Sequence, residues 1–211
     1  GNSMGGGVIE SGKFDWFKSN KFPALTLPTD SYHGLVFAET FGDFAYSMKL
    51  RADSLRDLGC TISPQNAFNI LTGLETLHLR MKEHVSNAKL VANFLNSHPK
   101  VYDVSYAGLK SNKYYKLAKK YMPEGPGSIF TIKLKKGFNA CVKLVESVKL
   151  FSHVANVGDT RSLIIHPAST THSQLSKEEK VKAGAGPDTI RLSIGIETAK
   201  DIIEDLDSAL K

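Results

Sequence analysis

The chain has 211 residues, of which 41% are hydrophobic and 23% are charged, and its formal net charge at pH 7 is +6. This composition is ordinary for a globular protein that buries a real core, and it excludes an intrinsically disordered chain. No apolar run approaches the ~18 to 20 residues of a membrane span, so no membrane partner is expected. The lysines are scattered through helical segments, which favours solvated faces over a nucleic-acid site.

The first residues, GNSMGGG, contain four glycines in seven positions. A phosphate-binding P-loop needs a lysine followed by Ser or Thr after its last glycine, whereas this stretch continues with Val8, Ile9 and Glu10. The strand-like segment 8–17 follows. These residues leave two interpretations open, a cloning remnant or the cut edge of a larger protein.

The first half of the chain is predicted to be loop and helix. Residues 15–35 have no steady hydrophobic period and contain two prolines, which predicts a long ordered loop. A helix is predicted over about 39–58, with Gly59 as its C-cap. Ser63 followed by Pro64 predicts the start of a helical region that continues, with a bend near Gly73, to Ser97. Its apolar stripe consists of Met81, Val85, Ala88, Val91 and Leu95.

Beyond Pro99 short strands alternate with helices. Strands are predicted at 101–106, 128–135, near His153, around 162–166 and at 189–197, and helices at 113–121, 139–148, after a Ser176–Glu179 capping box and after Thr198. In the last strand Ile190, Leu192, Ile194 and Ile196 share one face, and Ile202, Leu206 and Leu210 are expected to seat the final helix on the core. The pattern predicts an α/β protein that has, from about residue 100 to the end, an α+β domain with a largely antiparallel sheet.

Arg191 lies on the opposite face of that last strand from the four aliphatic side chains, and Ser193 and Gly195 make the surface beside it small and polar. A guanidinium held on a rigid strand is a suitable receptor for a carboxylate, because its planar fork makes two parallel hydrogen bonds. The alternative is an arginine on the wet face of a half-buried sheet. The residues alone leave both open.

Other polar groups give weaker signals. Three histidines, His153, His166 and His172, fall within twenty residues, but their spacing matches no zinc motif, so no metal is expected. No GxSxG elbow supports a hydrolase. Cys60 and Cys141 are far apart, which predicts free thiols in a reducing, cytoplasmic compartment, with Cys141 as core filler.

Four segments together resemble the second half of the Cys/Met metabolism enzymes that depend on pyridoxal phosphate, within fold type I. They are SYHGLVFAETFGDFAY, LRDLGCTISPQNAFNILTGLETLHLRMKEH, NVGDTRSLIIHPASTTHSQLSKEE and TIRLSIGIE. The resemblance covers essentially the whole chain in the right order. Within this family, SYHG and the run from Asn156 to Asp159 are similar to the O-acetylhomoserine sulfhydrylases.

The resemblance implies a C-terminal fragment. GNSMGGG is then the native continuation of an active-site segment, and the lysine that bears pyridoxal 5'-phosphate lies roughly six residues before Gly1, so no catalytic residue is expected in this chain. The implied domains are 1–63, a remnant of the large cofactor domain; 64–98, a connecting helical segment; and 99–211, the small domain. A homo-oligomer, a tetramer in the family, is the expected assembly.

The resemblance also assigns site residues and a reaction. Arg191 is expected to bind the α-carboxylate of an amino-acid substrate with help from Asn156, while Thr171 and His172 border the pocket. The implied activity of the whole enzyme is conversion of O-acetyl-L-homoserine and sulfide to L-homocysteine and acetate, in methionine biosynthesis. Alternatives are an O-succinylhomoserine sulfhydrylase, a cystathionine γ-synthase, a methionine γ-lyase, or a non-catalytic oligomerisation module.

Overall fold

The computed structural model describes residues 2–211. They form two compact units, of which the first ends at Leu74 and the second runs from Glu75 to Lys211. No helix of the described residues is long and apolar enough to cross a membrane.

The first unit is built from short helices. Its α-helices are α1 (Pro23–Thr26), α2 (Phe37–Phe41), α3 (Ala45–Leu50), α4 (Arg56–Leu58) and α5 (Pro64–Glu75), with 3-10 turns at Trp16–Lys18, Asp30–Tyr32 and Gly42–Phe44 and a π-helical turn at Arg51–Leu55. The predicted loop over 15–35 is confirmed, since it holds only single helical turns and one isolated bridge between Thr29 and Leu35.

Two predictions for this unit need correction. The strand-like segment 8–17 forms no strand, because no neighbouring strand pairs with it, and the side chains of Val8 and Ile9 are 59% and 97% exposed. The helix over 39–58 is interrupted at Gly42, whose φ of +49° lies outside the helical region. Gly59 is confirmed as a C-cap in the left-handed conformation, and its N–H donates to the Leu55 carbonyl at 3.0 Å.

The long helical region divides into two helices. The Ser63 hydroxyl accepts a hydrogen bond from the Asn66 N–H at 3.1 Å, so the predicted N-cap of α5 is confirmed. Helix α5 ends at Glu75, and α6 runs from Leu77 to Ser97. The interruption at Thr76 lies three residues after Gly73, where the sequence predicts a bend.

The second unit contains a four-stranded antiparallel sheet, which confirms the predicted α/β class with an antiparallel sheet. Its strands are β1 (Val101–Ser105), β2 (Ile129–Leu134), β3 (Leu163–Ile165) and β4 (Thr189–Ser193), in the order β1-β2-β4-β3. The helices after α6 are α7 (Tyr115–Tyr121), α8 (Gly137–Ser147), α9 (Lys177–Lys182) and α10 (Ala199–Leu210). The strand predicted near His153 is reduced to a single bridge between Ser152 and Leu163.

The core of the second unit lies between one face of the sheet and helices α6, α8 and α10. The alternation predicted for β2 and β4 is confirmed by the buried side chains of Phe130, Ile132, Leu134, Ile190, Leu192 and Ile194. On the helices, Ala88, Val91, Leu95, Leu144, Ile202, Leu206 and Leu210 are buried in the same core. Burial of these apolar surfaces is the main force that holds the layers together.

Some details of this packing differ from the sequence patterns. Ile196 is 36% exposed because it follows the end of β4, and Met81 is 36% exposed near the start of α6. The capping box of Ser176 and Glu179 is confirmed, whereas the Thr198 side chain makes no capping bond to α10. Cys141 is fully buried and fills the core as predicted, and burial raises the pKa of its thiol to about 12. Cys60 is exposed, and both thiols are free.

Candidate substrate-carboxylate site

Arg191 stands at the centre of β4, between two neighbouring strands. It pairs with Thr131 of β2 on one side and with Ile165 of β3 on the other. Because Ile190 and Leu192 occupy the core face, the Arg191 side chain extends from the opposite face, where it is half-buried. A sheet strand bonded on both sides holds the guanidinium more rigidly than a loop would.

Among the described residues 2–211, the guanidinium of Arg191 has one hydrogen-bond partner. Its Nη2 donates a hydrogen bond to the backbone carbonyl of Asn156 at 3.1 Å. Among residues 2–211 no Asp or Glu carboxylate lies within ion-pair distance of it. Most of its five N–H donors therefore remain available to an anionic ligand, and the planar fork suits a carboxylate.

Asn156 contacts Arg191 through its backbone. Its side-chain oxygen is used locally and accepts a hydrogen bond from the Val157 N–H at 2.9 Å. Gly158 turns the loop with a φ of +73°, and the Asp159 carboxylate accepts the Arg161 N–H at 3.1 Å, which lowers the pKa of Asp159. The structure thus brings Arg191 and Asn156 together, while an interaction of the Asn156 side chain with substrate stays a prediction.

Thr171 and His172 lie in the segment between β3 and α9. The Thr171 hydroxyl is 2.9 Å from Nδ1 of His172, and the His172 N–H donates to the carbonyl of Pro167 at 2.9 Å. Thr171 is exposed and His172 is half-buried. Within the described residues no hydrogen bond joins either of them to Arg191 or Asn156, so their place at the pocket border stays a prediction.

His166 has a structural position. It is 1% exposed, with Nε2 3.0 Å from the Pro187 carbonyl and Nδ1 2.9 Å from the Ser169 hydroxyl. The Pro187 carbonyl can only accept, so Nε2–H donates to it, whereas the Ser169 hydroxyl can either donate to Nδ1 or accept from it. Burial lowers the pKa of this imidazole. No group of three or more His, Cys, Asp or Glu in the described chain is arranged to hold a metal ion.

Sequence reasoning missed a cluster beside Arg191, here called the Glu197 brace and consisting of Ser162, Gly195 and Glu197. The Glu197 carboxylate accepts hydrogen bonds from the Ser162 N–H at 2.7 Å and the Ser162 hydroxyl at 2.9 Å. The same hydroxyl accepts the Gly195 N–H at 2.9 Å. Glu197 stands just after an apolar strand, but no local pattern pairs it with a serine 35 positions earlier.

The whole chain matches one protein-family model. Residues 1–211 match the model described as Cys/Met metabolism PLP-dependent enzyme. The chain belongs to this family.

Two named relatives are similar to the chain over its whole length. The chain is 48% identical over 212 residues to a homocysteine synthase of Schizosaccharomyces pombe, covering 100% of this chain and 49% of that one. It is also 48% identical over 220 residues to an O-acetyl-L-homoserine sulfhydrylase of Leptospira meyeri, with 100% and 50% covered. The chain therefore spans about half the length of these relatives.

A solved structure of the family has the same fold. The crystal structure described as an O-acetylhomoserine (thiol)-lyase from Campylobacter jejuni matches with a TM-score of 0.82 and 44% identity, covering 92% of this chain and 46% of that one. That protein carries a pyridoxyl group on a lysine at its position 205.

The residues of this chain do not fit the cofactor by themselves. Enzymes of the Cys/Met metabolism family depend on pyridoxal phosphate, and the group is carried on lysine in the Campylobacter protein. None of the lysines among residues 2–211 is buried. A lysine that reacts with a carbonyl cofactor is normally desolvated so that its amine is neutral. Arg191 stays the predicted receptor for an anionic group, and its free N–H donors are compatible with that prediction.

Proposed function

We propose that the chain is part of an O-acetylhomoserine sulfhydrylase, a transferase that converts O-acetyl-L-homoserine and sulfide to L-homocysteine and acetate. The names of the Schizosaccharomyces and Leptospira relatives support this activity. The observation in the structure that supports it is Arg191, a half-buried residue on a central strand whose guanidinium has no ion-pair partner within the described part of the chain. Pyridoxal phosphate, when bound, supplies the electron sink for the reaction.

The task proposed for Arg191 is to bind the α-carboxylate of the amino-acid substrate. Two parallel N–H···O bonds fix both the position and the plane of a carboxylate. The Asn156 carbonyl, 3.1 Å from Nη2, restricts the rotation of the guanidinium and leaves its other edge for the ligand. Holding the substrate in one orientation raises the rate of the following chemistry without Arg191 touching the reacting bonds.

We propose further that the chain corresponds to the second half of such an enzyme. Position 205 of the Campylobacter protein lies near the middle of a chain about twice as long as the matched part. A match to its first half would put the cofactor-bearing lysine near the end of this chain. The lysines there, Lys200 and Lys211, have side chains 78% and 75% exposed and are paired with Glu204 and Asp207. Neither environment suits a desolvated amine.

A homo-oligomer in the cytoplasm is the assembly and location we propose. Helix α5 buries none of its residues, and Phe68, Leu71 and Leu74 are 64%, 63% and 52% exposed. Contiguous exposed apolar surface of this kind is typical of an interface. Two free thiols support a reducing compartment.

Replacement of Arg191 tests the proposed function. In the full-length enzyme, Arg191→Ala removes the charge-assisted contact to the substrate carboxylate, so kcat/KM for O-acetyl-L-homoserine is expected to fall ~30- to 1000-fold. The cofactor absorbance band should persist, because Arg191 acts on substrate. Arg161→Ala is the matched control, since the Arg161 side chain is 75% exposed and its pair with Asp159 is 3.7 Å long. Unchanged kinetics in Arg191→Ala would show that Arg191 is only a solvated strand residue.

A further inference from the structure

The segment that presents the Asn156 carbonyl to Arg191 is fastened at its far end. The last residue pair of the β3–β4 ladder is Leu163 and Ser193, but the segments before β3 and after β4 remain hydrogen-bonded beyond this pair. The Ile196 N–H donates to the Thr160 carbonyl at 2.9 Å, and the Glu197 brace then closes on Ser162, which is fully buried. Five residues separate Asn156 from Ser162, so this fastening limits where Asn156 can lie.

Gly195 shows how tightly the brace is packed. A Cβ atom at this position would lie 2.5 Å from the Ser162 nitrogen and closer still to the Thr160 carbonyl oxygen and to Glu197 Oε2. Contacts this short require atoms to move. Only glycine therefore lets the two segments approach closely enough for the Glu197 carboxylate to reach Ser162.

Helix α6 holds the Glu197 side of the brace. His84 is 1% exposed, and its Nδ1 lies 2.7 Å from the carbonyl of Ile194. Asn87 is 2% exposed and donates from Nδ2 to the carbonyls of Gly195 at 3.2 Å and Glu197 at 2.7 Å. These carbonyls follow the end of β4 and have no sheet partner, so two buried side chains of α6 satisfy them. The backbone at Glu197 is thereby fixed to the core.

The loop between Asn156 and the brace has little other support. Residues 153–158 are exposed, and the hydrogen bonds of the Asn156 and Asp159 side chains are local. We infer that Glu197 is a positioning residue: through Ser162 it holds this loop so that the Asn156 carbonyl orients the Arg191 guanidinium toward the substrate carboxylate. The inference rests on the proposed function of Arg191.

The test uses the full-length enzyme with Glu197→Gln, which keeps the size of the side chain and removes its charge. Binding of L-methionine and of 3-(methylthio)propylamine, the same molecule without its carboxylate, is measured by calorimetry. The Kd of L-methionine is expected to rise about 10-fold, the size of a lost charge-assisted hydrogen bond. The Kd of the amine should stay within about twofold, since it makes no contact with Arg191. If the brace were merely structural, Glu197→Gln would change the Kd of both ligands by the same factor or would change neither.

Two further variants keep the result interpretable. Asp205→Asn is the matched control, because the Asp205 carboxylate, on α10, likewise accepts two hydrogen bonds from a neighbouring segment, from the N–H groups of Lys149 and Leu150. Its two Kd values should match those of the wild type. Ser162→Ala removes the other half of the brace and should reproduce the selective loss for L-methionine, which covers the case in which Glu197→Gln fails to fold.

The outcomes separate the two proposals. Homocysteine formation by the wild-type enzyme is measured independently. Its absence would count against the proposed function alone, because the two Kd values are measured by calorimetry and do not depend on turnover. The ratio of the Kd of L-methionine to the Kd of 3-(methylthio)propylamine is the decisive quantity. If it is the same in the wild type and in the folded Glu197 and Ser162 variants, the positioning role is overturned.

Discussion

The two units of the molecule differ in how they use apolar side chains. In the described part of the first unit only Leu25, Phe37, Ala38 and Ala45 are buried apolar residues. In the second unit one face of the sheet and the helices α6, α8 and α10 enclose a continuous core. In the first unit the helices depend on local signals, namely caps, prolines and glycines. The helices and strands of the second unit are stabilised in addition by the apolar side chains that they bury. A unit of the first kind has well-defined local structure without having much stability of its own.

Hydrogen exchange gives the largest expected difference between the units. Backbone amides of β2 and β4 should exchange about a thousandfold more slowly than those of α5, because core strands open only with global unfolding while exposed helices open locally. Limited proteolysis of the 211-residue chain at low concentration should correspondingly cut before Ser63 and spare 101–211. Equal protection in a chain shown to be monomeric would mean that the first unit has a self-sufficient core.

Paired truncations sharpen the comparison at single residues. Leu192→Ala empties a fully buried position in β4 and should lower the free energy of unfolding by about 2–5 kcal/mol. Phe68→Ala removes a side chain that is 64% exposed on α5 and should change it by less than about 0.5 kcal/mol. Chemical denaturation of both variants measures the contrast. A large loss from Phe68→Ala in a monomer would contradict the assignment of α5 as an unburied helix.

Acid sensitivity is the smallest expected effect and should arise in the second unit. His98 and His166 both lie there, and burial lowers the pKa of each below 6.5. A neutral buried histidine favours the folded state fully above pH 6.5, and this contribution is lost as the pH falls toward the lower, folded-state pKa. The Tm should therefore fall between pH 7.5 and 5.5, and His166→Asn should reduce that fall.

His153→Asn serves as the control for the pH experiment, because His153 is exposed. Its Tm should depend on pH as that of the wild type does. An identical pH dependence in His166→Asn would show that His166 does not contribute to acid sensitivity.

The sequence predicted those elements whose cause is local. Ser63 before Pro64, Gly59 after an amphipathic run, and the Ser176–Glu179 box act within a few residues, and each behaves as expected. The alternation of apolar and polar residues located β2 and β4, because successive side chains of a strand point to opposite faces and only one face lies against the core. The segment 8–17 is also rich in apolar residues, but among the described residues no strand pairs with it, and a strand without a partner leaves its backbone unsatisfied.

The site was predictable only in part for a related reason. The alternation of apolar and polar residues placed Arg191 on the face of β4 opposite the core. The family resemblance then implied that it binds the substrate carboxylate. The contact of Arg191 with the backbone rather than the side chain of Asn156, and the brace of Ser162, Gly195 and Glu197, depend on residues more than thirty positions apart. Such contacts follow from tertiary packing, which no short sequence pattern encodes.

The two cysteines make the molecule selectively addressable by thiol chemistry. The thiolate is the form of cysteine that attacks an alkylating reagent, and the buried Cys141, with a pKa of about 12, is almost entirely protonated at neutral pH and shielded from reagent. Cys60 is exposed and lies in the first unit, between α4 and α5. A single maleimide dye would therefore attach beside α5 without mutagenesis, and its emission would report when that helix becomes covered.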